Sequence, residues 1–253
     1  MAATIEGRRL TEAHRLAQVA LSKGTVADFL AAWRLLDPTA LDATFPAYAR
    51  VAKLIIQANR NKSTALAQAY LEAFRKAEGV TAPLTAARAA ELAEAQAMTS
   101  LMVTGPVTIR EGLGRGLQAE AAVRRAMVAS AGAVTRHALN GGRETIEATV
   151  ERDSRAEGLA RVTDGKPCYF CAMLAGRGAV YKDDFKSSNA KFTGSGVAKC
   201  HDHCGCSLEP VYNRDAYELP TASKRFADIY ADHSHGSGAE KLRNFRRAYE
   251  ALS

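Results

Sequence analysis

Long apolar runs and proline are both scarce in this 253-residue chain. Its apolar stretches are broken by Arg, Lys, Glu or Gly well before the roughly 20 residues a bilayer crossing requires, which excludes a transmembrane helix. The segment from Met1 to Arg9 has no apolar core of the signal-peptide kind. The expectation is synthesis and action in a reducing cytoplasm, where structural disulfides are rare. An odd cysteine count, five, points the same way, because a complete set of disulfides would leave one thiol over. A Walker-type glycine loop is missing as well. Gly112-Leu-Gly114-Arg-Gly116 brings its third glycine one position too early for a dinucleotide fingerprint. Gly194-Ser195-Gly196 lies in a Lys-, Ser-, Asn- and Gly-rich stretch, 186–199, that reads as a surface loop rather than a nucleophile elbow. There is no internal repeat.

What is present suits a folded protein. Hydrophobic residues make up 47% and charged residues 24%, so a packed core is feasible. Alanine is abundant before residue 150, and only 7 prolines interrupt the chain, a combination that favours helix. The formal charge of +7 suits a polyanionic neighbour, but it equally suits a solvated basic surface.

Residues 1–150 read as successive helices. Apolar residues recur at helical spacing around Leu10–Ala20, over Asp28–Leu36, and from Tyr48 to Ala77 through Val51, Leu54, Ile55, Ala58, Leu66, Tyr70, Leu71 and Phe74. Gly79 to Pro83 is a break, and Thr85 is placed to cap a helix carrying Ala86, Ala89 and Leu92. That helix fades near Gly105-Pro106, and another runs from about Leu117 to His137. Asn140-Gly141-Gly142 reads as a stop, followed by a short helix over Glu144–Ser154. His14 and His137 fall within helical patterns and read as core or surface residues. Beyond residue 155 glycine, aromatic and β-branched residues increase. Strands are expected at Leu159–Thr163, Ala179–Tyr181 and Ser207–Tyr212, and helices at Lys224–Ala231 and Ala239–Leu252. The last helix carries Lys241, Arg243, Arg246 and Arg247, a candidate nucleic-acid-binding face.

All five cysteines fall within 168–206. Small apolar core residues would scatter instead. They come as Pro167-Cys168-Tyr-Phe-Cys171 and as Cys200-His-Asp-His-Cys204-Gly-Cys206. Cys-x-x-Cys lets two thiolates reach one ion from a tight turn, and His-x-x-Cys with Cys-x-Cys can complete a soft tetrahedral shell, which selects zinc. The candidate metal ligands are Cys168, Cys171, His201, Cys204 and Cys206, with His203 and Cys200 as additional candidates. Cys168 and Cys171 would be joined by two of His201, Cys204 and Cys206. The plain alternatives are reduced thiols packed in a small core, or a disulfide formed outside the cell. A zinc deaminase would also need a His or Cys and a Glu one residue apart upstream, and that pair is missing. His201-Asp-His203 has no paired carboxylate motif beside it to support a nuclease. A thioredoxin-type role would need a βαβ setting. No catalytic residue is assigned.

The set Pro167-Cys168-x-x-Cys171, Leu174, Arg177-Gly178-x-Val180-Tyr181, His201-x-His203-Cys204-x-Cys206 and Glu209-Pro210 resembles the MuF-like head morphogenesis proteins, in the form carried by actinobacterial phages. The wider family closes on a motif like His-Pro-x-Cys-Arg-Cys. Here Asp202-His203 replaces its middle, Gly205 replaces the arginine, and Cys200 is an addition. The resemblance covers roughly residues 155–212.

The resemblance implies a minor capsid protein in the virion head, at the portal vertex or capsid interior, made in a bacterial cytoplasm and present in several copies per particle. Its expected partners are the portal protein, the major capsid protein and packaged double-stranded DNA, and no membrane. A head maturation protease or a nuclease is the alternative. The expected fold class is α+β, mainly α-helical. A helical docking region, 1–150, would precede a Cys/His-rich domain holding structural zinc, 151–215, and a basic helical tail, 216–253.

Overall fold

The protein is described by a computed structural model, in which residues 1–181 and 200–252 are described. The 186–199 loop expected from the sequence lies outside the described residues. Two helices open the chain, α1 (Ile5–Trp33) and α2 (Leu41–Ala77). Thr4 caps α1 by accepting from the Gly7 N–H, while the Glu78 carboxylate takes the Ala3 and Thr4 amides. The two helices bury Phe29, Trp33, Phe45, Tyr48 and Ile56 in one cluster, with Trp33 edge-on to Tyr48 at 5.5 Å.

Residues 80–93 depart from the sequence expectation. No helix follows Thr85; the stretch is extended and lies along α2 and the later helix α5 (Ala119–Arg152). Side chains of both helices take its backbone groups. Arg75 donates to the Ala82 carbonyl, Gln68 to Ala87 and Arg60 to Ala90, while Thr149 and Thr145 accept from the Ala87 and Ala89 amides. These bonds hold the stretch against α2 and α5, most tightly at the buried Ala87, and win over alanine's helix preference.

Helix α3 (Glu94–Met102) passes through one π-helical turn, Val103–Val107, into α4 (Thr108–Gly114). Pro106 has no N–H for an α-helical bond, so the chain widens there instead of ending, as Gly105-Pro106 had suggested. The expected stop at Asn140-Gly141-Gly142 is also overturned: α5 runs unbroken for 34 residues. A Cβ at Gly141 would sit 2.3 Å from the Arg60 carbonyl oxygen, and one at Gly142 2.7 Å from Ser63 Oγ. These glycines let α5 press against α2.

The second part is α+β. An antiparallel sheet has the order β2-β1-β3, with β1 at Gly158–Val162, β2 at Val180–Tyr181 and β3 at Ser207–Val211. Ala160 pairs with Glu209 and Arg161 with Leu208. Strand β3 is wholly buried, as expected for a strand covered on both faces. Leu159 and Leu208 join Leu71, Phe74, Ile146 and Val150 in a second apolar cluster. Helix α6 (Tyr169–Gly176), not expected from the sequence, packs with α7 (Thr221–His233) and α8 (Gly238–Leu252) around Ala172, Phe226, Ile229 and Phe245. Thus a mainly helical chain carries a small α+β part that holds the Cys/His cluster.

Candidate metal centre

Two chain segments meet at the cysteines. Cys168 is the N-cap residue of α6, its sulfur accepting from the Cys171 N–H at 3.4 Å. The reverse side is the loop 200–206, which leads into β3. This loop is fixed to α5 at three places. Arg136 Nε donates to Asp202 Oδ1 at 2.7 Å. His203 adopts the left-handed conformation, φ 65°, and lies on Gly132, where a Cβ would come within 2.5 Å of its Nε2. Arg143 Nε donates to the Cys206 carbonyl at 2.9 Å, and its Nη2 to that of Cys204. Gly205 passes over Asp164 so closely that a Cβ would meet Oδ2 at 2.2 Å.

The candidate ligands form two groups that share Cys171: Cys168, Cys171 and His201, and Cys171, Cys204 and Cys206. All five cysteines are free thiols, and within each group the ligand atoms lie within 4.8 Å of one another. The Cys171 and Cys204 sulfurs are 3.5 Å apart, and Cys171 Sγ is 3.6 Å from His201 Nε2. A tetrahedral centre with metal–sulfur bonds of about 2.3 Å has edges of about 3.8 Å, so these spacings suit one. Cys168 Sγ and His201 Nε2 are closer, 2.8 Å, and would have to part slightly for both to bind one ion. His201 Nδ1 faces the Asp202 carbonyl at 2.6 Å, which leaves Nε2 toward the sulfurs, the arrangement usual for a ligating histidine. The arrangement is compatible with a metal ion.

The sulfurs' proton affinities are tied together. Contact with the Cys171 thiol and with His201 holds Cys168 far below the ordinary thiol range, down to about 4. His201 is pushed up to about 9, chiefly by Cys168. Cys171, between Cys168, Cys204 and Cys206, is raised by all three, while Cys204 is lowered to about 6, chiefly by Cys171. Such a cluster holds both thiols and thiolates, the form a soft cation binds.

Of the additional candidates, His203 is turned onto Gly132, and Cys200 Sγ lies 3.7 Å from Arg161 Nη1. His14 stacks on Tyr70 at 4.5 Å and His137 is buried in α5. Burial lowers both imidazoles to about 4. Lys241, Arg243, Arg246 and Arg247 lie on α8, and that helix touches Pro167 and Tyr169 on either side of Cys168. The Tyr249 hydroxyl donates to the Pro167 carbonyl at 2.5 Å, and Arg246 stands 5.0 Å over the Tyr169 ring while pairing with Glu250. Arg143, Arg161 and the Arg136–Asp202 pair escaped the sequence reading. Their partners lie some 40 to 65 residues away along the chain, and no local spacing announces them.

The family model for VG15 protein matches residues 6–233, which takes in the helical part, the sheet and the cysteine cluster. Neither the curated proteins nor the solved structures gave a significant match.

Proposed function

This chain belongs to the VG15 protein family, a phage protein family, and on that premise we propose that it is a minor capsid protein of the tailed-phage head. In this reading it is a structural component of the MuF-like kind, several copies per particle, seated at the portal vertex or capsid interior. The helices of 1–150 dock on the portal or major capsid protein, the Cys/His region of 151–215 holds a structural zinc ion, and the basic tail of 216–253 faces packaged DNA. The observation that carries it is the closure of the sulfur cluster. Cys171, Cys204 and Cys206 are only 1–3% exposed, and Cys168 and His201, half-buried and exposed, stand next to Cys171 to supply the fourth ligand that closes a structural site.

The test is the metal content of freshly purified protein, with a parallel melt in chelator. About one zinc per chain and a lower melting temperature in chelator are expected. A metal-free protein whose melt ignores chelator overturns the zinc reading. Purified heads that lack the protein overturn the virion reading. For DNA, Arg243→Ala or Arg247→Ala should each flatten the salt dependence of duplex binding by about one unit of slope; an unchanged slope removes the contact.

A second reading rests on the 2.8 Å approach of Cys168 Sγ to His201 Nε2 at the start of α6, a thiol–imidazole pair of the kind used by cysteine nucleophiles. It would make the chain an enzyme of head assembly, such as a maturation protease. Rapid, selective alkylation of Cys168 in the zinc-loaded protein would favour it, and full protection by zinc would end it.

A further inference from the structure

Two buried arginines, one on α5 and one on β1, touch the residues of the sulfur cluster. Arg143, on α5, is 3% exposed, and Arg161, on β1, is 8% exposed. Three groups of Arg143 are engaged. Nε and Nη2 hold the carbonyls of Cys206 and Cys204, and Nη1 donates to Asn140 Oδ1 at 2.9 Å. Arg161 reaches Cys200 with Nη1. That sulfur, 3.7 Å away, itself packs against Cys171, Cys204 and Cys206. A divalent ion with three thiolates and an imidazole carries one negative charge, and with four thiolates two. Burying such a centre is costly unless cations stand beside it.

We propose that Arg143 and Arg161 are positioning residues of the metal centre, making it a site for a soft divalent cation in a thiolate-rich, net anionic shell. Arg143 performs two tasks. It fixes the backbone on both sides of Gly205, so that the Cys204 and Cys206 sulfurs converge before the ion arrives, and it balances their charge. Arg161 balances the shell from the sheet side. The inference rests on the metal reading above, and its failure is distinguishable from the failure of that reading.

The experiment uses the full chain with Zn2+ and Co2+ as probes. Affinity is read by competition with a chromophoric chelator, and thiolate ligation by the sulfur-to-cobalt charge-transfer band. Arg143→Gln keeps donors for the carbonyls but loses the charge, and Arg161→Gln removes the charge on β1. Each should weaken Zn2+ binding by about 10- to 100-fold, the usual effect of groups that orient metal ligands. Arg143→Lys and Arg161→Lys should recover part of the loss, with the cobalt band of the loaded protein unchanged in shape. A merely structural role would not respond to charge: Lys and Gln variants that fold and bind alike overturn the inference and leave the metal reading standing. Wild-type protein that binds neither ion overturns both. If Arg143→Gln fails to fold, the Arg161 pair decides.

Discussion

Between α1 and α2 the chain buries Phe29, Trp33, Phe45, Tyr48 and Ile56 against one another, whereas between α6 and the loop before β3 it buries the sulfurs of Cys171, Cys204 and Cys206. The first region is held by hydrocarbon removed from water. Its order survives the loss of any one small contact, because many share the load. The second has few apolar side chains, and its loop is fixed by directed bonds to α5: Arg136 to Asp202, Arg143 to two carbonyls, His203 on Gly132. Hydrocarbon packing tolerates approximation; ligand geometry does not. Both regions use glycine where a partner passes closely, Gly141 and Gly142 for α2 against α5 and Gly132 and Gly205 at the cluster, but only the cluster relies on directed bonds in place of an apolar core.

The largest expected effect separates the two regions. Phe29 is fully buried in the helical core, and Phe29→Ala should cost about 3–5 kcal/mol in urea unfolding of the helical signal. Zinc binding to the folded fraction should stay as in wild type. A matching loss of zinc affinity would mean that the two regions are one cooperative unit with no division of labour.

Acid should strike the helical body next. His14, stacked on Tyr70, is held neutral with its proton affinity lowered to about 4 from 6.5, burial being the cause. The folded value lies below the unfolded one. The associated stability is therefore present above pH 6.5 and is lost as pH falls through that value toward 4. About 3 kcal/mol is at stake for such a shift. Melts between pH 7 and pH 4.5, run in chelator so that release of metal does not contribute, should show the decline, and His14→Gln should flatten it. An equally steep decline in the variant would assign the effect elsewhere, His137 being the other helical histidine held down to about 4.

The smallest effect has a telling sign. Gly141→Ala in the middle of a helix ordinarily stabilises by up to about 1 kcal/mol. Here the added methyl would meet the Arg60 carbonyl at 2.3 Å, so a loss of about 1–3 kcal/mol is expected from denaturant melts. A gain would mean that α2 and α5 have room to part, and that the body is packed less tightly than the sulfur site.

Much of this architecture could be read along the chain. Apolar residues recurring over Tyr48–Ala77 marked α2, the rise in glycine, aromatic and β-branched residues beyond 155 marked β1 and β3, and the Cys/His spacing brought Cys168, Cys171, His201, Cys204 and Cys206 to notice as a group. These signals are local: each lies in a few neighbouring residues. What escaped is non-local. Asn140-Gly141-Gly142 has the chemistry of a helix end, and only the approach of Arg60 and Ser63 on α2 shows why it is a helix middle. Thr85 to Leu92 has the composition of a helix, yet Gln68, Arg60, Thr145 and Thr149 hold it extended. Helix α6 starts at a cysteine, a residue outside the usual set of caps. Arg143 falls between an expected helix stop and the next expected helix, and nothing local marks it until the loop of 200–206 is folded onto it.

The extended stretch 80–93 has one further consequence, for the order of folding. Its backbone partners come from two helices that lie far apart in sequence, so its full set of bonds closes only when α2 and α5 are side by side. Its bonds to α5 are therefore expected to close late, and a substitution such as Thr149→Val should speed unfolding while leaving the folding rate nearly untouched in stopped-flow measurements. The stretch is thus a late fastening: it lengthens the lifetime of the native state without helping the chain to find it.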